Sequence, residues 1–321
     1  MLTYKDLCCQ NRSAPCRKIN EFPRKGGIYD KFAGNFFKMK NILIMVALQA
    51  IFLISCKKAG QTSENIPDSF PVSQGVADEA SGIADSKANP GAIWVEQDGG
   101  NPPEIILLSH NAQLLKKIPV PGILNRDWED MCLADGPNPS QNYIYIGEIG
   151  DNALVYDSYS IIRFPEPSSS ADNISNPEII SFKYPDGSHD AEAFLVEPGS
   201  LDIYIITKRE TRSLIYKLKY PYSVLSLNTA VAVGQLPYNL VVSAAMQADG
   251  KAIVIKDYST IYYYPRKNGE SIPEVLAKSF QRLPYISEQQ GESFSFSTDG
   301  THYYTLSERV NTNVSLNYYR K

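Results

Sequence analysis

Histidine is scarce in this 321-residue chain: His110, His189 and His302 are the whole supply, and they stand far apart. With so few, and with no cysteine–histidine pairs at ligand spacing, a zinc module of the finger type is excluded. A glycine-rich phosphate loop of the Walker type is also missing, which removes that route to nucleotide chemistry. No long amphipathic helical pattern occurs, so a helical domain is excluded. Nor does any apolar run reach the roughly 20 residues that cross a bilayer as a helix.

The longest apolar run, Ile42 to Leu53, follows Lys40 and ends in Leu53-Ile54-Ser55-Cys56, the charge, apolar core and small residue of an export signal. Its ending resembles a bacterial lipoprotein lipobox, which implies cleavage before Cys56 and acylation of that sulfur. The expected organisation is an upstream extension over 1–38 that precedes the true start at Met39, a signal peptide over 39–55, a lipidated cysteine and tether over 56–75, and one domain over 76–321. The expected location is the bacterial cell envelope, lipid-anchored to a membrane, at the outer membrane or cell surface. Cys8, Cys9 and Cys16 fall in the extension. Only Cys56 and Cys132 remain, no internal disulfide forms, and Cys132 reads as a buried, inert thiol.

Basic residues are short as well. Residues 1–55 hold nine Lys and Arg against three Asp and Glu, so the remainder has 31 − 9 = 22 basic and 35 − 3 = 32 acidic residues, a net charge of −10. No nucleic-acid partner is expected of such a surface.

What is plentiful is strand. From Glu79 onward, short runs of Ile, Val, Tyr and Phe alternate with Gly, Pro, Asn and Asp. Ile83, Met131, Phe194, Met246 and Phe294 head five comparable units, spaced 48, 63, 52 and 48 residues apart. A period near 50 made of strands means propeller blades, whose repeats run to roughly 40–50 residues. The last unit stops after its third strand, and "ENIPDSFPV" near the start of the domain is the natural fourth. The expected fold is therefore all-β, a single five-bladed β-propeller closed by an N-terminal strand, with six blades as the alternative if the 63-residue interval hides one more.

In such a ring the first strand of each blade lines the channel, and acids recur where it begins: Glu129 and Asp130, Asp190 and Glu192, then Glu292. The ends of the second strands return to the same face with Asp98, Glu148, Asp151, Asn152, Lys208, Arg209, Lys256, Asp257, Glu308 and Arg309. Crowded carboxylates repel unless a cation intervenes, and an all-oxygen set suits a hard ion, so Ca²⁺ is the expected cofactor. The expected ligands are Glu129, Asp130, Asp190, Glu192, Glu292, Glu148 and Asp151. Asp98, Trp128, Asn152 and Arg209 are candidates for contact with a bound molecule, with Trp94 and Trp128 as stacking rings. If catalysis occurs, His189, Lys208, Lys256 and Arg309 are the candidates. The same acids also serve turns and interstrand bridges, which is their purely structural role.

The segments "EASGIADSKANPGAIWVEQDGG", "DWEDMCLADG…YIYIGEIGDN" and "DAEAFLVEP…LDIYIITKRE" resemble the acid-leading strand pairs of the phytase-like and SdiA-regulated propeller families. The resemblance spans Glu79 to Lys321 and implies an exported or membrane-associated propeller with a metal-capable face. Two functions stay open. One is a lipoprotein whose propeller face binds a small molecule, glycan or protein; the other is a metal-assisted phosphoester hydrolase.

Overall fold

The computed structural model describes residues 66–310 and 313–321. The extension 1–38, the signal 39–55 and Cys56 lie outside the described residues. The chain opens with β1 (Asp68–Pro71) and then builds the first blade from β2 (Ala80–Asp85), β3 (Ala92–Gln97), β4 (Glu104–Ser109) and β5 (Leu114–Pro119). The second blade is β6 (Trp128–Asp135), β7 (Asn142–Glu148), β8 (Tyr159–Pro165) and β9 (Glu178–Lys183). The third blade holds β10 (Ala191–Val196), β11 (Ile203–Thr207) and β12 (Leu214–Leu218). Next come the short β13 (Asn228–Thr229), which joins β9 in parallel, and β14 (Val231–Gln235), the third blade's outer strand. The fourth blade is β15 (Val241–Met246), β16 (Ala252–Asp257), β17 (Ile261–Pro265), the one-turn helix α1 (Ile272–Leu276) and β18 (Gln281–Leu283). The last is β19 (Ser293–Phe296), β20 (His302–Leu306) and β21 (Ser315–Arg320).

Each blade is an antiparallel meander, and the fifth is completed by β1, which pairs with β21 from Asp68 opposite Tyr318 to Pro71 opposite Ser315. The five-bladed, all-β reading thus holds. The closing strand covers what would otherwise be an open sheet edge. Asp68–Pro71 falls inside the segment expected to be tether, so the propeller begins earlier than residue 76. The 63-residue interval holds no sixth blade, because the long connections after β7 and β8 absorb it.

Strands such as β3 and β10 are buried along their whole length, which explains their nearly unbroken apolar runs. Five apolar clusters fill the five seams between neighbouring sheets. Outer strands such as β14 are largely exposed.

A β-bulge recurs at the same point of the first strand in four blades: between Ala80 and Gly82, Trp128 and Asp130, Ala191 and Ala193, and Val241 and Ser243. The bulged residues are Ser81, Glu129, Glu192 and Val242. A bulge kinks the strand and re-aims one side chain, here toward one mouth of the channel. The register also corrects the repeat. Ser243 faces Lys256 as Asp130 faces Gly147, so Ala244, not Met246, matches Met131. The later spacings become 244 − 194 = 50 and 294 − 244 = 50.

Candidate cation site

Three of the acids expected as ligands do come together. One oxygen each of Glu129, Asp190 and Glu192 lie within 4.8 Å of one another, and a second such group joins Glu129 to Asp98 and Asp127. Glu129 is the member common to both. It is only 4% exposed, and its carboxylate accepts no hydrogen bond among the described residues. One buried oxygen of Glu192, Oε2, is likewise without a donor. Room for the pair Glu129 and Asp127 comes from Gly150, since any Cβ there would collide with both carboxylates.

Burial dominates the electrostatics. It pushes Glu129 well above the usual carboxylate range, and the charges of Glu192, Asp98 and Asp127 add to the effect. Asp127 rises to about 6 through burial and the nearby Asp98, Asp190 and Glu148, with Arg126 opposing. Glu192 rises to about 8, where burial outweighs the opposing charge of Lys208. Asp98 is raised too, again chiefly by burial.

Two cations stand at the edge of this group. Lys208 Nζ binds Glu192 and donates to the Tyr258 hydroxyl at 2.9 Å, and Tyr258 in turn donates to Glu292 at 2.7 Å. Arg209 binds Asp190 and Asn152, while the Asp151 N–H donates to Asp190 at 2.8 Å. Glu292 is therefore tied to the group through Tyr258 and Lys208.

Several expected ligands turn out to be structural. Asp130 is fully buried, and its two oxygens take four donors: the N–H groups of Met131 at 2.9 Å, Phe194 at 3.3 Å and Ala244 at 3.2 Å, and the Ser243 hydroxyl at 3.2 Å. One carboxylate thus laces the second, third and fourth blades together inside the channel. This also accounts for the fourth blade's lack of an acid: Ser243 and Ala244 are the donors that Asp130 requires, and Val242 occupies the bulge. Asp151 accepts from Val155 N–H, Tyr156 N–H and the Tyr159 hydroxyl at 2.8–2.9 Å, which anchors its own loop. Burial would raise its pKa, but those bonds outweigh burial and hold it low. Glu148 receives the N–H groups of Arg126 at 3.1 Å and Asp127 at 2.8 Å, so it positions Asp127 rather than facing the ring.

The catalytic candidates divide in the same way. Both ring nitrogens of His189 are engaged, Nδ1 with Glu210 at 2.6 Å and Nε2 with Tyr216 at 2.9 Å, and its ring packs against Tyr184 and Tyr216. Arg309 clasps Asp78 at 2.7 Å and the Val72 carbonyl at 2.9 Å, holding the strand that closes the ring. Lys256 is fully buried, donates to the Gly291 carbonyl and is lowered to about 8 by burial. Of the basic set, only Lys208 and Arg209 meet the carboxylate group.

Trp128 and Trp94 are fully buried in the seam between the first two blades, so neither ring is available for stacking on a ligand. Asp127 and Glu96 were not among the expected site residues. Asp127 was readable, since Glu79, Asp127 and Asp190 stand in one column two residues before the bulge. Glu96 was hidden inside an apolar strand; both its oxygens are buried beside Gly82, and burial, with Asp130 and Asp98 nearby, pushes it well above the usual range.

No family model matches the chain, and no curated protein matches it. Among solved structures the chain is similar to the propeller of Dos1, at 12% identity and a TM-score of 0.37 over 75% of this chain and 68% of that one. At that level the likeness carries no argument about function.

Proposed function

We propose that this propeller is a binding module whose channel mouth holds a hard divalent cation, Ca²⁺ by preference, and presents it to a ligand. The observation that carries the reading is Glu129, a buried carboxylate at the junction of two carboxylate groups with no hydrogen-bond donor among the described residues. A buried charge in that state is costly unless something cationic pairs with it. The set around it, Asp98, Asp127, Asp190 and Glu192, is all oxygen, which fits Ca²⁺ with its six to eight oxygen ligands and does not fit a softer metal. A lipid anchor at Cys56, in a bacterial envelope, belongs to the same reading and rests on the sequence alone. The test is a melting curve of the folded protein in chelator and in millimolar Ca²⁺. Calcium should raise the midpoint and Glu129→Gln should blunt the rise, whereas a midpoint that neither chelator nor Ca²⁺ moves would return the acids to a purely structural role.

One observation favours a second reading, hydrolysis of a phosphoester of the kind that the phytase-like resemblance implies. Lys208 and Arg209 touch Glu192 and Asp190 at the edge of the same group, where a phosphate bridging ion and cations would sit. Calcium-dependent release of phosphate from p-nitrophenyl phosphate, lost in Lys208→Met, would decide for it.

A further inference from the structure

The seam between the first and fifth blades runs on to the end of the ring away from the carboxylates. There it opens into a cleft of about 350 Å³, within the size range of small-molecule pockets, roughly 300–1,000 Å³. Two of the three histidines, scattered in the sequence, meet in its walls. His110 packs against Tyr304 at 4.9 Å between centroids, Tyr304 against Tyr318 at 5.4 Å, and Tyr318 against His302 at 4.7 Å, each pair tilted rather than stacked. Cross-strand pairing of Tyr304 with Tyr318 builds this aromatic wall, and β1 lies alongside through Asp68 opposite Tyr318.

The polar groups around the wall are of two kinds. Some are spent: Asp85 takes His110 Nε2 at 2.7 Å and the Thr298 N–H at 2.7 Å, and Asp68 is paired with Arg320 at 2.6 Å. Others are open. Asp299 accepts the Ser297 hydroxyl at 2.6 Å and the N–H and hydroxyl of Thr301 at 2.9 and 2.7 Å, all on Oδ1, leaving Oδ2 without a donor among the described residues. The Asn111 side chain is exposed, and its amide makes no hydrogen bond there either.

We propose that this cleft binds a neutral polyhydroxylated ring, a sugar residue, laid against the half-buried Tyr318 ring with its hydroxyls directed to Asp299 and Asn111. Aromatic rings present an apolar face to the C–H side of such a ring, while the open acceptor and donor groups satisfy hydroxyls that would otherwise lose water. Charge argues against an anion, since Asp85, Asp68 and Asp299 line the cleft. A cation gains little, because Asp85 is already bonded to His110 and Asp68 to Arg320, which itself lies 5.6 Å over the Tyr318 ring.

The test is saturation-transfer NMR on the full chain with methyl glucoside, galactoside, mannoside and N-acetylglucosaminide, beside benzyltrimethylammonium and benzoate as charged probes. At least one glycoside should receive transfer and both charged probes should bind more weakly. Asn111→Ala and Tyr318→Ala should each weaken that glycoside by about tenfold or more, with melting curves confirming that both variants fold. Glu129→Gln should leave it untouched, which separates this site from the channel mouth. The proposal is overturned if no glycoside receives transfer, if transfer survives both variants, or if the cationic probe binds more tightly than every sugar.

Discussion

If the raised carboxylates at the channel mouth are cation ligands, binding must expel protons. Free of an ion, Glu192 titrates at about 8 and Asp127 at about 6. At pH 7 Glu192 and Glu129, both raised chiefly by burial, are then largely protonated. A metal takes the deprotonated form, so Ca²⁺ should release protons at pH 7, and its affinity should climb as pH rises through neutrality. Isothermal titration calorimetry in buffers of different ionisation enthalpy counts those protons. The sign for the cation-free fold follows from the same shifts. These acids have folded pKa values above their unfolded ones, so the native state binds more protons than the unfolded chain between the ordinary carboxylate range and about pH 8. Stability without calcium should therefore be highest at the acid end of that window and fall as pH rises through about 6 and then about 8, while calcium cancels the fall. Calcium that binds without releasing protons at pH 7 would refute the assignment of Glu129 and Glu192 as ligands.

Four further outcomes are expected. Asp130→Ala strands three donors on the third and fourth blades and should cost about 3 kcal/mol in chemical denaturation. Gly150→Ala should abolish the calcium-induced rise in melting temperature in a protein that still folds, because the new Cβ displaces Glu129 and Asp127. A chain that begins at Ser73 loses β1 with the buried Val72 and the half-buried Phe70, uncovers the β21 edge, and should be less stable by about 3 kcal/mol and prone to self-association on size-exclusion chromatography. Cys56→Ser should remove acyl chains detectable by mass spectrometry and shift the protein out of the detergent phase.

The sequence by itself determined that this chain is an all-β propeller and favoured five blades; the structure removed the six-bladed alternative. Blade cores are built from short strands buried on both faces, so their apolar runs and the turns between them recur at a readable interval, and a last unit with three strands demands a fourth from elsewhere. It also placed acids at the start of the first strands, because the repeat carries chemistry along with architecture. Tertiary structure alone decided which acids do what. Asp130 and Glu129 are neighbours in sequence, yet a bulge turns Glu129 into the mouth while Asp130 points inward to donors more than 60 residues away. Such a choice depends on local register and on which backbone N–H groups lie opposite, and neither leaves a mark in residue type. The buried tryptophans and the placing of His110 and His302 in the walls of one cleft follow the same rule. Contacts between the first and last blades exist only once the ring has closed.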